Sequence, residues 1–115
     1  MFDFQNLNVY QKSKTFHLNC KQIILDSKTD KYVRDQVRRA SHSIILNIAE
    51  GSAKSTKADR RNYFTVARAS IFECVAIIDI MQTEQKLNKD EYNNLLSLAN
   101  EISKMLFTMI QNLQG

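Results

Sequence analysis

The chain has 115 residues, no proline and two glycines, and carries a formal net charge of +4. Strand-rich and dinucleotide-binding folds need turn residues at short intervals, so this composition excludes them and leaves a few long helices. The length suits a single domain over residues 1–115, with room for a real core and about four helices joined by short connections.

The charge is uneven along the chain. Residues 1–27 hold three basic and two acidic side chains, a net of +1. Residues 28–68 hold ten basic against four acidic, a net of +6, and residues 69–115 hold three against six, a net of −3. A concentrated basic segment is an electrostatic footprint for polyanions, and two oppositely charged regions also suit self-association. Cys20 and Cys74 each fall on an apolar helical face and read as reduced core thiols of a cytoplasmic protein. The opening residues carry Asp3 and no basic run, so no secretory leader is expected. Asp79 interrupts the longest apolar stretch, so no membrane span is expected either.

The spacing predicts a first helix over about 6–27, with Val9, Phe16, Cys20, Ile23 and Ile24 facing inward and Phe2 and Phe4 as an apolar lead-in. A second helix is predicted over 31–50, with Asp30 at its N-cap and Val33, Val37, Ala40, Ile44 and Ile48 on one face. Gly51 stands where a glycine just past a helix end belongs, so the helix is expected to stop there. Thr56 and Asp59 have capping-box spacing and open a third helix over 56–86. Its two apolar stripes run through Phe64, Ala67, Ile71, Cys74, Ile78 and Met81, and through Tyr63, Val66, Ser70 and Ile77. Asn88 and Glu91 repeat the capping logic for a fourth helix over 89–113, whose stripe runs from Tyr92 through Leu95, Ala99, Ile102, Leu106 and Met109 to Leu113. That three-four alternation is the packing pattern of an antiparallel up-down-up-down four-helix bundle, an all-α fold. Leu96, Leu98, Met105, Phe107 and Ile110 lie off the stripe and point to a subunit interface.

Catalytic and cofactor chemistry finds few of the residues it needs. Di-iron bundles require Glu-x-x-His on inner faces, and no glutamate here is followed by histidine at that spacing. Zinc and phosphate-loop sites lack ligands and glycines respectively, so no metal and no cofactor is expected. Ser41 and Ser43 flank His42, but neighbours on a helix point about 100° apart, so His42 cannot act as base for either from its own helix. Arg39, Ser43, Asn47 and Glu50 share one side of the second helix, and Tyr63, Ser70 and Glu73 occupy comparable positions on the third. They read as a polar network fixing how the two helices meet, with Glu50 needing a partner such as Arg39 if buried. The candidates for contact with nucleic acid are Arg38, Arg39, Lys54, Lys57, Arg60, Arg61 and Arg68, which would form one patch if gathered at one end of the hairpin. Aromatic residues are sparse among them, so base-specific reading is not expected.

Phe4, Leu7, Val9 and Tyr10, the stretch QVRRASHSIILNIAEGSAK at 36–54, and Tyr63, Phe64, Ala67, Ser70 and Glu73 together resemble the four-helix-bundle family of 23S rRNA intervening-sequence proteins. The resemblance covers essentially the whole chain, although many members have a proline before the second helix where this chain reads SKTDKY. It implies a left-handed bundle that assembles as a homopentamer. It also implies kinship with accessory proteins of diversity-generating retroelements, which bind nucleic acid and a reverse transcriptase. No catalytic activity follows from it, and Ser43, Asn47, Glu50, Gly51, Ser70 and Glu73, as its signature residues, take structural roles. Two readings follow: an oligomeric, non-enzymatic binder of structured RNA or DNA, or a protein-interaction scaffold that does not touch nucleic acid.

Overall fold

The computed structural model describes residues 2–114. A 3₁₀ turn over Asp3–Asn6 leads into four α-helices: α1 (Asn8–Asp26), α2 (Lys31–Ala53), α3 (Lys57–Thr83) and α4 (Lys89–Asn112). α1 packs against α2 and α4, and α3 packs against the same two, while the diagonal pairs are not neighbours. Short connections between antiparallel helices produce this square, the up-down-up-down arrangement expected from the sequence. Helix length sets the long dimension of the 44 × 27 × 22 Å molecule.

The predicted stripes become the core. Phe16 and Ile24 of α1, Val37, Ile44 and Ile48 of α2, Phe64, Ile71, Ile78 and Met81 of α3, and Leu95, Ile102 and Leu106 of α4 are buried almost completely. Each large aliphatic or aromatic side chain removed from water contributes about 1.5–3 kcal/mol of transfer free energy, which is why these stripes, and not the caps, hold the bundle together. Cys20 and Cys74 lie in the same core as free thiols. Burial pushes both thiols up, Cys74 to about 12, with the Glu73 charge adding to the rise there. Val66, assigned to an inner stripe, is half exposed instead. Phe4 does pack as a lead-in, edge-on to Tyr10 at 4.9 Å, whereas Phe2 stays largely in solvent.

The ends correct the sequence in three places. Asp30 holds the N-cap position of α2 but makes no side-chain capping bond. The turn is closed by Ser27, whose hydroxyl donates to the Ile24 carbonyl at 2.9 Å and lies 2.6 Å from Thr29 Oγ1. α3 stops at Thr83, three residues before the expected end, in a turn that places Gln85 at φ 59°. And α2 does not stop at Gly51 but continues to Ala53, with Gly51 buried inside it. The reason is proximity: a Cβ at Gly51 would stand 2.7 Å from Phe64 Cε1 and 3.0 Å from Tyr63 Cβ. The glycine lets α2 and α3 approach, and does not terminate anything. Thr56 accepts from the Asp59 amide at 3.1 Å, and Asn88 and Glu91 form the full reciprocal box at 2.8 and 2.9 Å, as their spacing predicts.

Candidate nucleic-acid interface

The polar seam between α2 and α3 is smaller than the sequence suggests. Ser43 Oγ meets Ser70 Oγ at 3.0 Å, and Asn47 Nδ2 donates to the Ser43 carbonyl at 2.8 Å and to Ser43 Oγ at 3.0 Å. With Gly51 one turn further, these residues bring the two backbones together. Glu50 and Glu73 do not belong to the seam. Both are exposed and, among the described residues, neither makes an ion pair or a side-chain hydrogen bond. A carboxylate left in water has no desolvation cost to offset, so the expected Arg39 partner is not required.

The basic residues divide in the same way. Arg61 Nη1 donates to the Leu113 carbonyl at 2.9 Å and so caps the end of α4. Arg68 Nε donates to the Ser103 carbonyl at 3.3 Å, with its guanidinium over Phe72 at 5.0 Å and Phe107 at 5.2 Å. Arg60 is half-buried, with a buried Nε that has no partner among the described residues. Lys54 lies over the Tyr63 ring at 5.0 Å. Lys57, at the start of α3, is the one exposed residue of this group. Arg38 and Arg39, also exposed, sit one-third of the way along α2. Roughly 24 Å of helix axis, at about 1.5 Å per residue, separates Arg38 from Lys54. One continuous patch therefore does not form, because an unbroken helix holds its two ends apart.

The antiparallel pairing of α1 and α2 builds a different cluster around Arg38 and Arg39. Lys21, Lys31, Arg34 and Arg38 line a groove of about 310 Å³ with Ile24, Leu25 and Asp35. A second hollow of about 500 Å³ follows, lined by His17, Lys21, Asp35, Arg38, Arg39 and His42. Lys21, Asp35 and Arg38 line both, so the two hollows adjoin along the α1–α2 seam, and together they are called the channel. Asp35 is its single carboxylate. Lys31 Nζ donates to Asp35 Oδ2 at 3.0 Å and Arg38 Nη1 stands 3.9 Å from Oδ1; that hydrogen bond first, then the positive charge of Lys31, Arg38 and Arg34, holds the Asp35 carboxyl below its usual range. Exposed pairs of this kind contribute little to stability, which leaves the cations available to a ligand.

His17 sits at the wall of this channel. Its Nδ1 is 2.7 Å from Ser41 Oγ, and Ser41 donates to the Arg38 carbonyl at 3.2 Å. A hydroxyl has one proton, so with that proton on the carbonyl, Nδ1–H donates to Ser41 and Nε2 is left with the lone pair. The His42 ring lies 5.5 Å away, centroid to centroid. Burial first, then the positive charge of His42, Lys21 and Arg38, holds His17 below its ordinary value. Ser41 itself is 0% exposed, so a serine that does meet an imidazole is sealed from any substrate. Lys21, His17 and His42 were not among the site residues expected from the sequence. The signal was present: an antiparallel pair turning at 27–30 places residues whose numbers sum to about 58 side by side.

Residues 5–108 match the family model described as the 23S rRNA-intervening sequence protein. The chain belongs to that family. Its bundle also superposes on the crystal structure of a protein of unknown function from the S23 ribosomal protein family of Bacteroides thetaiotaomicron VPI-5482. The TM-score is 0.83 at 21% sequence identity, covering 89% of this chain and 97% of that one, a likeness of fold. No curated protein matches the sequence. The family resemblance in QVRRASHSIILNIAEGSAK is thus explained in part by packing: Ser43, Asn47 and Gly51 are the residues that join α2 to α3. Among the described residues no helix is long and apolar enough to cross a membrane, and no three metal-ligating side chains cluster.

Proposed function

We propose that this family member binds structured RNA or DNA with low sequence specificity through the channel between α1 and α2. The observation that carries the reading is the convergence of Lys21, Lys31, Arg34, Arg38 and Arg39 on a channel with one carboxylate, Asp35. Cations spaced along a groove match a phosphate backbone, whose neutralisation releases counterions and supplies affinity without reading bases. The channel is lined by no aromatic side chain apart from the two imidazoles, which fits backbone contact better than base stacking. The family is described by 23S rRNA intervening sequences, which makes RNA the first polyanion to test. The reading includes no catalytic step.

The test is a binding titration against a structured RNA at several salt concentrations. Affinity is expected to fall steeply with salt, and Arg38→Glu/Arg39→Glu is expected to weaken it at least about tenfold and flatten the slope by about two phosphate contacts. Affinity indifferent to both salt and charge reversal would sink the reading. Arg61 and Arg68 are poor probes, because reversing either breaks a bond to a carbonyl of α4.

A second surface supports self-association. On the opposite flank, Ile71, Phe72, Val75, Leu96 and Ala99 line an apolar groove of about 450 Å³ between α3 and α4. Beside it Arg68 is held between Phe72 and Phe107, which are 57% and 46% exposed. An arginine fixed between exposed aromatics beside an apolar groove is the composition of a protein interface. Leu98, Met105 and Ile110, the other off-stripe residues, are partly buried and pack against the core, as Leu96 also does. We read the α3–α4 face as one side of the contact between copies; a ring of five, which the family resemblance implies, uses it head-to-tail against a second, different patch of the next copy. The competing reading, a scaffold without nucleic acid, predicts that charge reversal in the α1–α2 channel changes the assembly state and that RNA never binds.

A further inference from the structure

We propose that the hollow between His17 and His42 is the seat of one phosphate group of the bound nucleic acid, and that the imidazole pair takes up a proton as that phosphate enters. This deepens the reading of the α1–α2 channel and rests on it for the source of the phosphate. The channel is not uniform. Its outer part is lined by Lys21, Lys31, Arg34 and Arg38, with Asp35 and the apolar Ile24 and Leu25 among them. Its inner part adds two imidazoles to Lys21, Asp35, Arg38 and Arg39 around a space of about 500 Å³, ample for a phosphate and several waters.

The geometry of His17 suits a proton acceptor. Ser41, fixed by its bond to the Arg38 carbonyl, holds Nδ1 and thereby orients the ring. Protonation at Nε2 leaves that bond intact, so the ring can change charge without changing place. The charges that face the pair come from both helices that flank it: Lys21 from α1, and Asp35, Arg38 and Arg39 from α2. α4 packs on the other flank of α1, where its Glu101 is held by Lys12 at 2.6 Å and lines the space beside Asn19 with Asp90, away from the hollow. Lys21 and Arg38 oppose a further positive charge at His17 in the empty protein. An oxyanion between them reverses that local potential and favours the imidazolium. Binding and protonation must then strengthen one another, because linkage between two ligands is reciprocal.

The experiment uses the full chain. Histidine ring nitrogens are followed by NMR through a pH titration, once in sodium chloride and once in inorganic phosphate at equal ionic strength. Phosphate is expected to shift the midpoint of His17 upward relative to chloride, and identical midpoints would overturn the proposal. In parallel, a short structured RNA is titrated from about pH 7.5 to about pH 5.5, across the histidine range. Uptake of one proton permits at most about tenfold in affinity per pH unit, so an overall gain of roughly three- to thirtyfold is expected. His17→Gln/His42→Gln is expected to abolish that gain, and an unchanged pH response in the variant also overturns the proposal. If His17→Gln disturbs packing through Ser41, the exposed His42→Gln alone is expected to reduce the gain. Comparing 5′-phosphorylated with 5′-hydroxyl RNA identifies the source. A gain confined to the former assigns the seat to a terminal phosphate, and a gain in both assigns it to an internal diester. RNA binding that is absent at every pH defeats the channel reading, while the midpoint shift in inorganic phosphate still judges the seat.

Discussion

Gly51 shows how one residue can be identified for the right importance and the wrong reason. As one of two glycines after a long apolar run, it reads as a helix terminator. In the fold it is the point at which α2 rests on Phe64 and Tyr63 of α3. Adding a methyl group there has two opposed effects. Alanine gains about 1 kcal/mol over glycine in helix propensity. Against this, the new Cβ meets a buried ring at 2.7 Å and the Tyr63 Cβ, close to backbone, at 3.0 Å. Overpacking of this kind costs about 1–3 kcal/mol, so Gly51→Ala should be net destabilising, by up to about 2 kcal/mol. Thermal denaturation would register it as a fall in Tm, and an increase would show that the helices part more easily than their packing suggests. His17 gives a second residue-scale expectation. Its folded-state value lies below the ordinary 6.5, so the unfolded chain binds more protons between the two values. The associated stability is complete above about 6.5 and is lost as pH falls below it. Acidification from neutral pH should lower Tm by a few degrees at most, His17→Gln should remove that component, and a Tm that rises on acidification would contradict the placement of the ring.

At the scale of elements, the existence, order and inner faces of four helices were legible, because stripes at three-four spacing require a partner and no other element was available. Ends depended on whether their chemistry was written in side chains. Asn88 and Glu91 cap α4 as a reciprocal box, and Thr56 caps α3, both as their spacing indicated. The end of α3 was not legible, since its turn is made by backbone alone. The Lys86 amide donates to the Met81 carbonyl at 2.9 Å and the Gln85 amide to the Gln82 carbonyl at 3.0 Å, a Schellman arrangement with Gln85 at φ 59°. Glycine is the usual residue there, and its absence hid the turn. A left-handed residue with a side chain costs about 1–2 kcal/mol, partly offset by the greater freedom glycine has when unfolded. Gln85→Gly should therefore stabilise the bundle by about 0.5–1 kcal/mol in chemical denaturation, and a loss of stability would mean the Gln85 side chain makes a compensating contact. The α1–α2 channel was half legible for a related reason. Arg38 and Arg39 are conspicuous in the sequence, but Lys21 and His17 join them only once the helices are paired about residues 27–30.

Across the whole molecule, the uneven charge of the sequence becomes two flanks with different chemistry. The α1–α2 flank carries the channel of cations, and the α3–α4 flank carries the apolar groove with Phe72, Arg68 and Phe107. The +6 segment did not map onto one surface, because α3 uses Arg61 and Arg68 to fasten α4 while Arg38 and Arg39 of α2 face solvent beside α1. Such a division lets the α3–α4 flank take part in assembly while the α1–α2 channel stays open. If copies associate in this way, each assembly presents several channels, and a nucleic acid long enough to reach two of them gains by avidity without any new type of contact. Phe72→Glu places a charge in the apolar groove and should reduce the mass measured by light scattering toward that of a single 13.3 kDa chain. The same variant keeps all five channel cations, so its RNA affinity should fall by about 10²-fold or more through lost avidity alone. Its salt dependence should shrink in proportion to the number of channels engaged at once, whereas Arg38→Glu/Arg39→Glu should weaken binding with no change in mass. A Phe72→Glu protein that dissociates yet binds RNA with undiminished affinity and salt slope would show that one channel suffices and that assembly serves some other end.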